Sequence, residues 1–156
     1  LIRTGCDKLV CTFMRKSKAA FDMFEEGKVE LLLQGTFSES LRLGGAGIPA
    51  YYCPVGVGTR VAEGKEQREF EGKKYILERT FIGDVAFLHV NQADEMGNCF
   101  IKGSSKNFTV LMAGACRNTF VEAEEIVKVG EIDPELVTIP GILVKGIIKA
   151  GESNEY

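Results

Sequence analysis

The stretch from Leu31 to Thr59, LLLQGTFSESLRLGGAGIPAYYCPVGVGT, constrains this chain more than any other. An apolar run (Leu31, Leu32, Leu33) meets Gln34-Gly35-Thr36 and a short helical pattern follows. Gly44, Gly45, Gly47, Gly56 and Gly58 then alternate with Pro49 and Pro54. The pattern predicts a strand, a turn, a short helix and a long glycine-rich loop. Thr36 and Glu39 stand at capping-box spacing, which places the helix start at Thr36. Gln34 then sits between a strand end and a helix N-terminus, the crevice where open α/β sheets hold ligands. Glycines let a ligand approach the main chain, and prolines restrict the loop to few conformations. A surface loop without function is the plain alternative, since neither G-x-x-x-x-G-K-[ST] nor G-x-G-x-x-G occurs here.

At 156 residues the chain is expected to form one domain over 1–150, with a frayed polar tail at 151–156. A chain of this size buries about 68–70% of its unfolded surface, enough for a real core. The net charge of −3 argues against nucleic acid or an anionic membrane as partner. Five cysteines without a C-x-x-C pair, and a single histidine, leave no zinc constellation and point to a reducing compartment. No apolar run approaches the ~18 residues that a membrane span needs.

Leu9–Met14 reads as a buried strand. Ser17 is placed to cap a helix over Lys18–Glu26, with Ala20, Phe21 and Phe24 on one face and Gly27 just past its end. Val29–Leu33 is the next strand, giving the βαβ rhythm of a parallel sheet. Glu69–Arg79 reads as a hairpin turning at Glu71-Gly72. Val85–Asn91 and Cys99–Lys102 are strands around the turn Asp94–Asn98. A helix over Lys106–Cys116 and strands at Thr119–Glu122 and Ile142–Ile148 complete the chain. The expected fold is α/β: a mainly parallel sheet flanked by helices, with a β-hairpin insertion.

The run QGT, GGAG and Ile48-Pro49-Ala50-Tyr51 resembles the A (alpha) half of the family I CoA-transferases, closest to the succinyl-CoA:3-oxoacid type. Downstream, Ala93-Asp94…Gly97-Asn98, Ser105-Lys106-Asn107-Phe108, Val121–Val127 and Ile139-Pro140-Gly141 match in order and spacing. The chain opens Leu-Ile-Arg, and relative to that family an earlier segment is expected to be missing.

From its residue type alone, Gln34 is either a glutamine satisfying backbone at a helix start or a neutral donor to an oxyanion. The resemblance implies the second: Gln34 is one oxyanion-hole donor, and the other is a backbone N–H of a B (beta) subunit. It implies further that Gly44, Gly45, Ala46, Gly47, Pro49 and Ala50 floor the substrate and CoA cleft, with a tight turn as the other reading. Asn107 either caps its helix or faces that cleft. Glu122, Glu124 and Glu125 read as a solvated face, and His89 as a structural or edge histidine.

The family's nucleophile is a glutamate in an S-E-N-G motif of the B half, and no such motif occurs here. The resemblance therefore implies a chain inactive without a B subunit, working in a hetero-oligomer such as A2B2. The acyl-CoA serves as substrate, with no cofactor and no metal. The implied location is the bacterial cytoplasm or, in a eukaryote, the mitochondrial matrix. Succinyl-CoA and acetoacetate are the first choice of substrates. Cys53-Pro54-Val55-Gly56, where the family often has Thr-Pro-Thr-Gly, and Ser40, in place of an arginine, bear on acyl specificity. The rival readings are an acetate or butyrate transferase, a non-catalytic acyl-CoA-binding protein of the same fold, and a sugar-phosphate isomerase or sensor.

Overall fold

The computed structural model describes residues 5–14 and 17–151. The tail expected to fray lies outside these residues apart from Gly151. The first unit is β1 (Leu9–Cys11), α1 (Lys18–Glu25) and β2 (Val29–Leu31), with β1 and β2 parallel. Its ends are set by local chemistry. The Ala20 N–H donates to Ser17 Oγ at 3.3 Å, and Gly27 (φ 71°) turns the chain out of the helix. α1 buries Ala20 and Met23, whereas Phe21 and Phe24 stay exposed. The expected apolar face is thus rotated, because Phe21 and Phe24 each lie one residue, about 100° of helix, beyond the buried pair.

The helix after β2, α2, spans Gln34–Gly45 and begins two residues earlier than its capping-box spacing predicts. Leu33 is the N-cap, extended at φ −66°, ψ 133°, and its carbonyl accepts from the Phe37 N–H at 2.9 Å. Thr36 is buried inside the first turn rather than capping it, and Glu39 pairs with Arg42 instead of reaching back.

Gly44 and Gly45 also depart from expectation: they close the helix rather than open a loop. A Cβ on Gly44 would lie 2.0 Å from the Phe81 carbonyl oxygen, and one on Gly45 2.7 Å from that of Gly114. These glycines let α2 press against two other backbones. Gly47 (φ 77°) then ends the helix, with Ile48 N–H bonding Leu43 O and Gly47 N–H bonding Gly44 O, a Schellman closure.

The supposed long loop is interrupted by β3 (Ala50–Cys53). With β4 (Gln67–Phe70) and β5 (Lys73–Arg79) it forms an antiparallel sheet in the order β3-β5-β4. The β4–β5 turn is the expected Glu71-Gly72, both at positive φ (50° and 75°), the geometry of a two-residue hairpin turn.

The core lies on β6 (Gly83–Asp94), β8 (Cys116–Val127) and β9 (Val144–Lys149), all parallel, with β7 (Cys99–Phe100) antiparallel on β6. Alternate residues point inward: Ala86, Leu88 and Val90 on β6, Val121 and Ala123 on β8, packed with Ile101, Ala113 and Ile139. α3 (Thr109–Ala115) covers this face and runs straight into β8, so it is shorter than the expected Lys106–Cys116. A 3₁₀ turn at Gly103–Lys106 and Asn107 at φ 23° take up the difference.

Two of the matched motifs are structural locks. Asp94 Oδ1 accepts from the Met96 and Asn98 N–H groups, both at 2.9 Å, and Asn98 Oδ1 accepts from the Gly141 N–H at 2.9 Å. A Cβ on Gly141 would lie 2.3 Å from Met96 O. Burial would raise the Asp94 carboxyl, but the bonds from the Asn98 side chain and nearby backbone hold it below its usual range. The opposite sheet face leaves Phe87 71% and Ile148 61% exposed. Among the described residues no helix is long and apolar enough to cross a membrane.

Candidate active site

Gln34 is the first residue of α2. It is exposed, and its carboxamide makes no hydrogen bond among the described residues. The amides of Gln34, Gly35 and Thr36 belong to the helix's first turn, where N–H groups have no intrahelical acceptor. Free donors and the positive end of the helix dipole therefore gather here, which favours an oxyanion.

The other candidates sit at the far end. Twelve residues of α2 put Gly45 about 16 Å from Gln34 at 1.5 Å per residue. Gly44 is buried against Phe81, while Ala46, Gly47 and Pro49 reach the surface. The chain then doubles back. Thr80 holds the turn, its Oγ1 donating to Ile48 O at 2.7 Å and its N–H to Pro49 O at 3.1 Å. Ala50 pairs with Arg79. From β3 the Tyr51 hydroxyl reaches the first half of α2, donating to Thr36 O at 2.9 Å and lying 3.2 Å from Ser40 Oγ. Burial holds the Tyr51 hydroxyl above its ordinary pKa, so it stays protonated as that donor.

Asn107 does not cap α3. Phe108 occupies that position, and Asn107 is exposed in a strained conformation at φ 23°, ψ −119°. Phe108 packs edge-on against Phe37 at 5.2 Å, and Phe37 against Phe81 at 5.6 Å. This aromatic cluster ties the Asn107 turn to the first turns of α2.

A cleft of ≈ 410 Å³ opens between the end of β2, α2 and β5, lined by Leu32, Thr36, Ser40, Lys65, Glu78 and Arg79 among others. Glu78 is 7% exposed and receives two bonds from Lys65 Nζ, at 2.7 and 2.8 Å. No sequence motif marks this pair. The one signal for it is the alternation in β5, which puts the carboxylate of Glu78 on the same inward face as Ile76.

The remaining polar groups form no nucleophile. Glu39 is held below the usual carboxylate range by its hydrogen bonds from Arg42. Burial pushes the Cys99 thiol up to about 11, and raises Cys116 too. His89 bridges Glu124 (Nε2, 3.0 Å) and Glu122 (Nδ1, 3.4 Å) across β6 and β8. The Glu124 hydrogen bond, above all, raises its pKa. Glu122, Glu124 and Glu125 are exposed, a solvated face as expected. Among the described residues no group of three or more His, Cys, Asp or Glu is placed to hold a metal. The site has donors for an oxyanion but no group set up to attack.

Comparison with known proteins gives this arrangement its context. Residues 3–150 match the model of the family described as Coenzyme A transferase. The chain is 45% identical over 150 residues to the A subunit of the succinyl-CoA:3-ketoacid coenzyme A transferase of Helicobacter pylori J99, covering 95% of this chain and 64% of that one. It is 40% identical over 162 residues to the mitochondrial succinyl-CoA:3-ketoacid coenzyme A transferase 2A of Rattus norvegicus, covering 91% of this chain and 31% of that one. It thus spans less than two thirds of the length of these curated relatives. The acyl-CoA transferase of E. coli O157:H7, solved as a thioester complex with CoA, superposes with a TM-score of 0.80 at 21% identity, over 90% of this chain and 33% of that one, and shares the fold. The chain belongs to the coenzyme A transferase family.

Proposed function

We propose that this chain is the A-type half of a CoA-transferase that moves CoA from succinyl-CoA to acetoacetate, with its nucleophilic glutamate on a B-type partner. The single observation behind this reading is Gln34: an exposed, unbonded carboxamide on a helix N-terminus, in a chain whose own carboxylates are engaged or solvated. The relatives support the partner. The Helicobacter pylori protein is named as one of two kinds of subunit, and the rat chain, of which this one covers 31%, is roughly twice as long as that bacterial protein.

In this reading the partner's carboxylate attacks the thioester carbonyl, and negative charge develops on its oxygen. Gln34 Nε2–H donates to that oxygen without having to lose a proton. The C–S bond breaks, CoA leaves as thiolate and an acyl-glutamyl anhydride remains. The thiolate then attacks the glutamyl carbonyl, releasing succinate and leaving a glutamyl-CoA thioester. Acetoacetate reverses the two steps and departs as its CoA ester. CoA is a substrate moiety, no further cofactor enters, and the active assembly is A2B2. All five cysteines are free thiols, in keeping with work in a reducing compartment.

The test is succinyl-CoA:acetoacetate transfer by the whole A-type protein with its B-type partner, wild type against Gln34→Ala. Loss of one oxyanion donor lowers kcat by about 10²–10³. Transfer with an unaffected variant removes Gln34 from the site, and absence of transfer with any acid pair removes the function.

A further inference from the structure

The cleft between α2 and β5 contains a buried hydroxyl with nothing to bond. Thr36 is 6% exposed, and its Oγ1 has no hydrogen-bond partner among the described residues. A buried donor left unpaired lowers stability, and a valine of the same shape would not carry that penalty. Such a group persists where something other than the fold needs it.

The charges around it point to what that is. Glu78 is matched by Lys65, Glu66 by Arg68 and the Tyr52 hydroxyl, and Glu30 by Lys8. Arg79 is the charged residue of the lining that has no counter-ion among the described residues. The cleft therefore has one uncompensated positive charge, a buried hydroxyl and apolar walls from Leu32, Leu77 and Phe81. Its position fits the chemistry: Leu32 and Thr36 stand on either side of Gln34 in the chain, and Arg79 pairs across the sheet with Ala50.

We propose that this cleft holds the far end of a short carboxylic acid that carries a second oxygen function, a dicarboxylate or an oxo acid. The distal oxygens lie between the Arg79 guanidinium and the Thr36 hydroxyl, and the reacting carboxylate faces out toward Gln34. The choice of acid rests on the CoA-transferase reading; the anion site itself does not. Guanidinium suits a carboxylate through paired N–H donors, which an ammonium does not reproduce.

The experiment uses the complete A–B complex with succinate, acetoacetate and butyrate as probes, by calorimetric binding and by transfer kinetics. Arg79→Met and Thr36→Val each raise Kd and KM for succinate and acetoacetate tenfold or more, and leave butyrate, which lacks distal oxygens, unchanged. Arg79→Lys recovers part of the loss. Thr36→Val also raises the melting temperature, so affinity and stability move in opposite directions. Unchanged succinate binding in both variants overturns the proposal, and so does a Thr36→Val protein that melts lower, since the hydroxyl then serves the fold. If the wild type transfers no CoA but binds succinate through Arg79 and Thr36, the reaction falls and the cleft stands. If it transfers CoA while both variants bind succinate as wild type does, the cleft falls and the reaction stands.

Discussion

The two ends of α2 are built to opposite rules. At the C-terminal end everything is closed: Gly44 and Gly45 press on the backbones of Phe81 and Gly114, and a Schellman turn satisfies the last carbonyls. At the N-terminal end everything is open. Leu33 offers no capping side chain, Gln34 is unbonded among the described residues, and the Thr36 hydroxyl is buried without a partner there. A helix has the same number of orphan groups at each end. The difference therefore marks one end as structural and the other as held ready for a ligand. It also explains why the predicted glycine floor and the predicted oxyanion donor do not coincide: the first two glycines anchor the helix that presents the glutamine.

The sharpest test of this contrast is to alter each end and ask whether activity or stability responds. Gln34→Ala at the open end is expected to cost about 2.7–4 kcal/mol of transition-state stabilisation. As an exposed change it should leave unfolding free energy within about ±0.5 kcal/mol. Urea unfolding beside transfer kinetics separates the two. A variant that loses stability as well would make the open end structural too.

Gly44→Ala is the reverse case. The new methyl would meet a backbone oxygen at 2.0 Å, and backbone cannot move aside as a flexible side chain can. The expected loss is at the upper end of the ~1–3 kcal/mol typical of overpacking, read as a lower urea midpoint with unchanged slope. Residual activity per folded molecule should stay near wild type. A Gly44→Ala protein of normal stability would mean that the closed end is looser than its geometry.

The same contrast governs what can be read from the residues. The β1–α1–β2 unit and the β4–β5 turn are legible because Ser17, Gly27 and Glu71-Gly72 act on their immediate neighbours. The start of α2 is not. Thr36 and Glu39 have the spacing of a capping box, but Thr36 is taken into packing beneath β3 and Glu39 finds Arg42. Gly44 and Gly45 look like a loop because the atoms that require them, on Phe81 and Gly114, are brought in by the tertiary fold. Gln34 is legible through a motif, whereas the Lys65–Glu78 pair emerges only once the register of β5 is known.

Tyr51 joins the two ends, since β3 leaves the closed end and its hydroxyl bonds the open one. Tyr51→Phe removes the bonds to Thr36 O and Ser40 Oγ, and Ser40 is 1% exposed. The expected cost is about 1 kcal/mol in urea unfolding. Kinetics decide whether the bond also positions α2: a change in KM for the acid without a change in kcat would connect Tyr51 to the cleft. A change in neither confines it to packing.

The smallest effect concerns Asn107, which lies across the Phe37–Phe108 contact from the open end. Its φ of 23° and ψ of −119° strain any residue with a Cβ, and such strain costs of order 1–3 kcal/mol. Asn107→Gly releases it, at the expense of roughly 0.5–1 kcal/mol of extra backbone freedom in the unfolded chain. The net expectation is a gain of about 1 kcal/mol, a small upward shift in melting temperature. If the turn exists only to connect the 3₁₀ segment to α3, transfer should be as fast as in the wild type. If the exposed carboxamide faces substrate, the more stable variant should be slower, and Asn107→Ala slower still without the gain in stability. Stability and activity would then diverge at Asn107 as they are expected to at Thr36, and the open end would extend across the aromatic cluster to the start of α3.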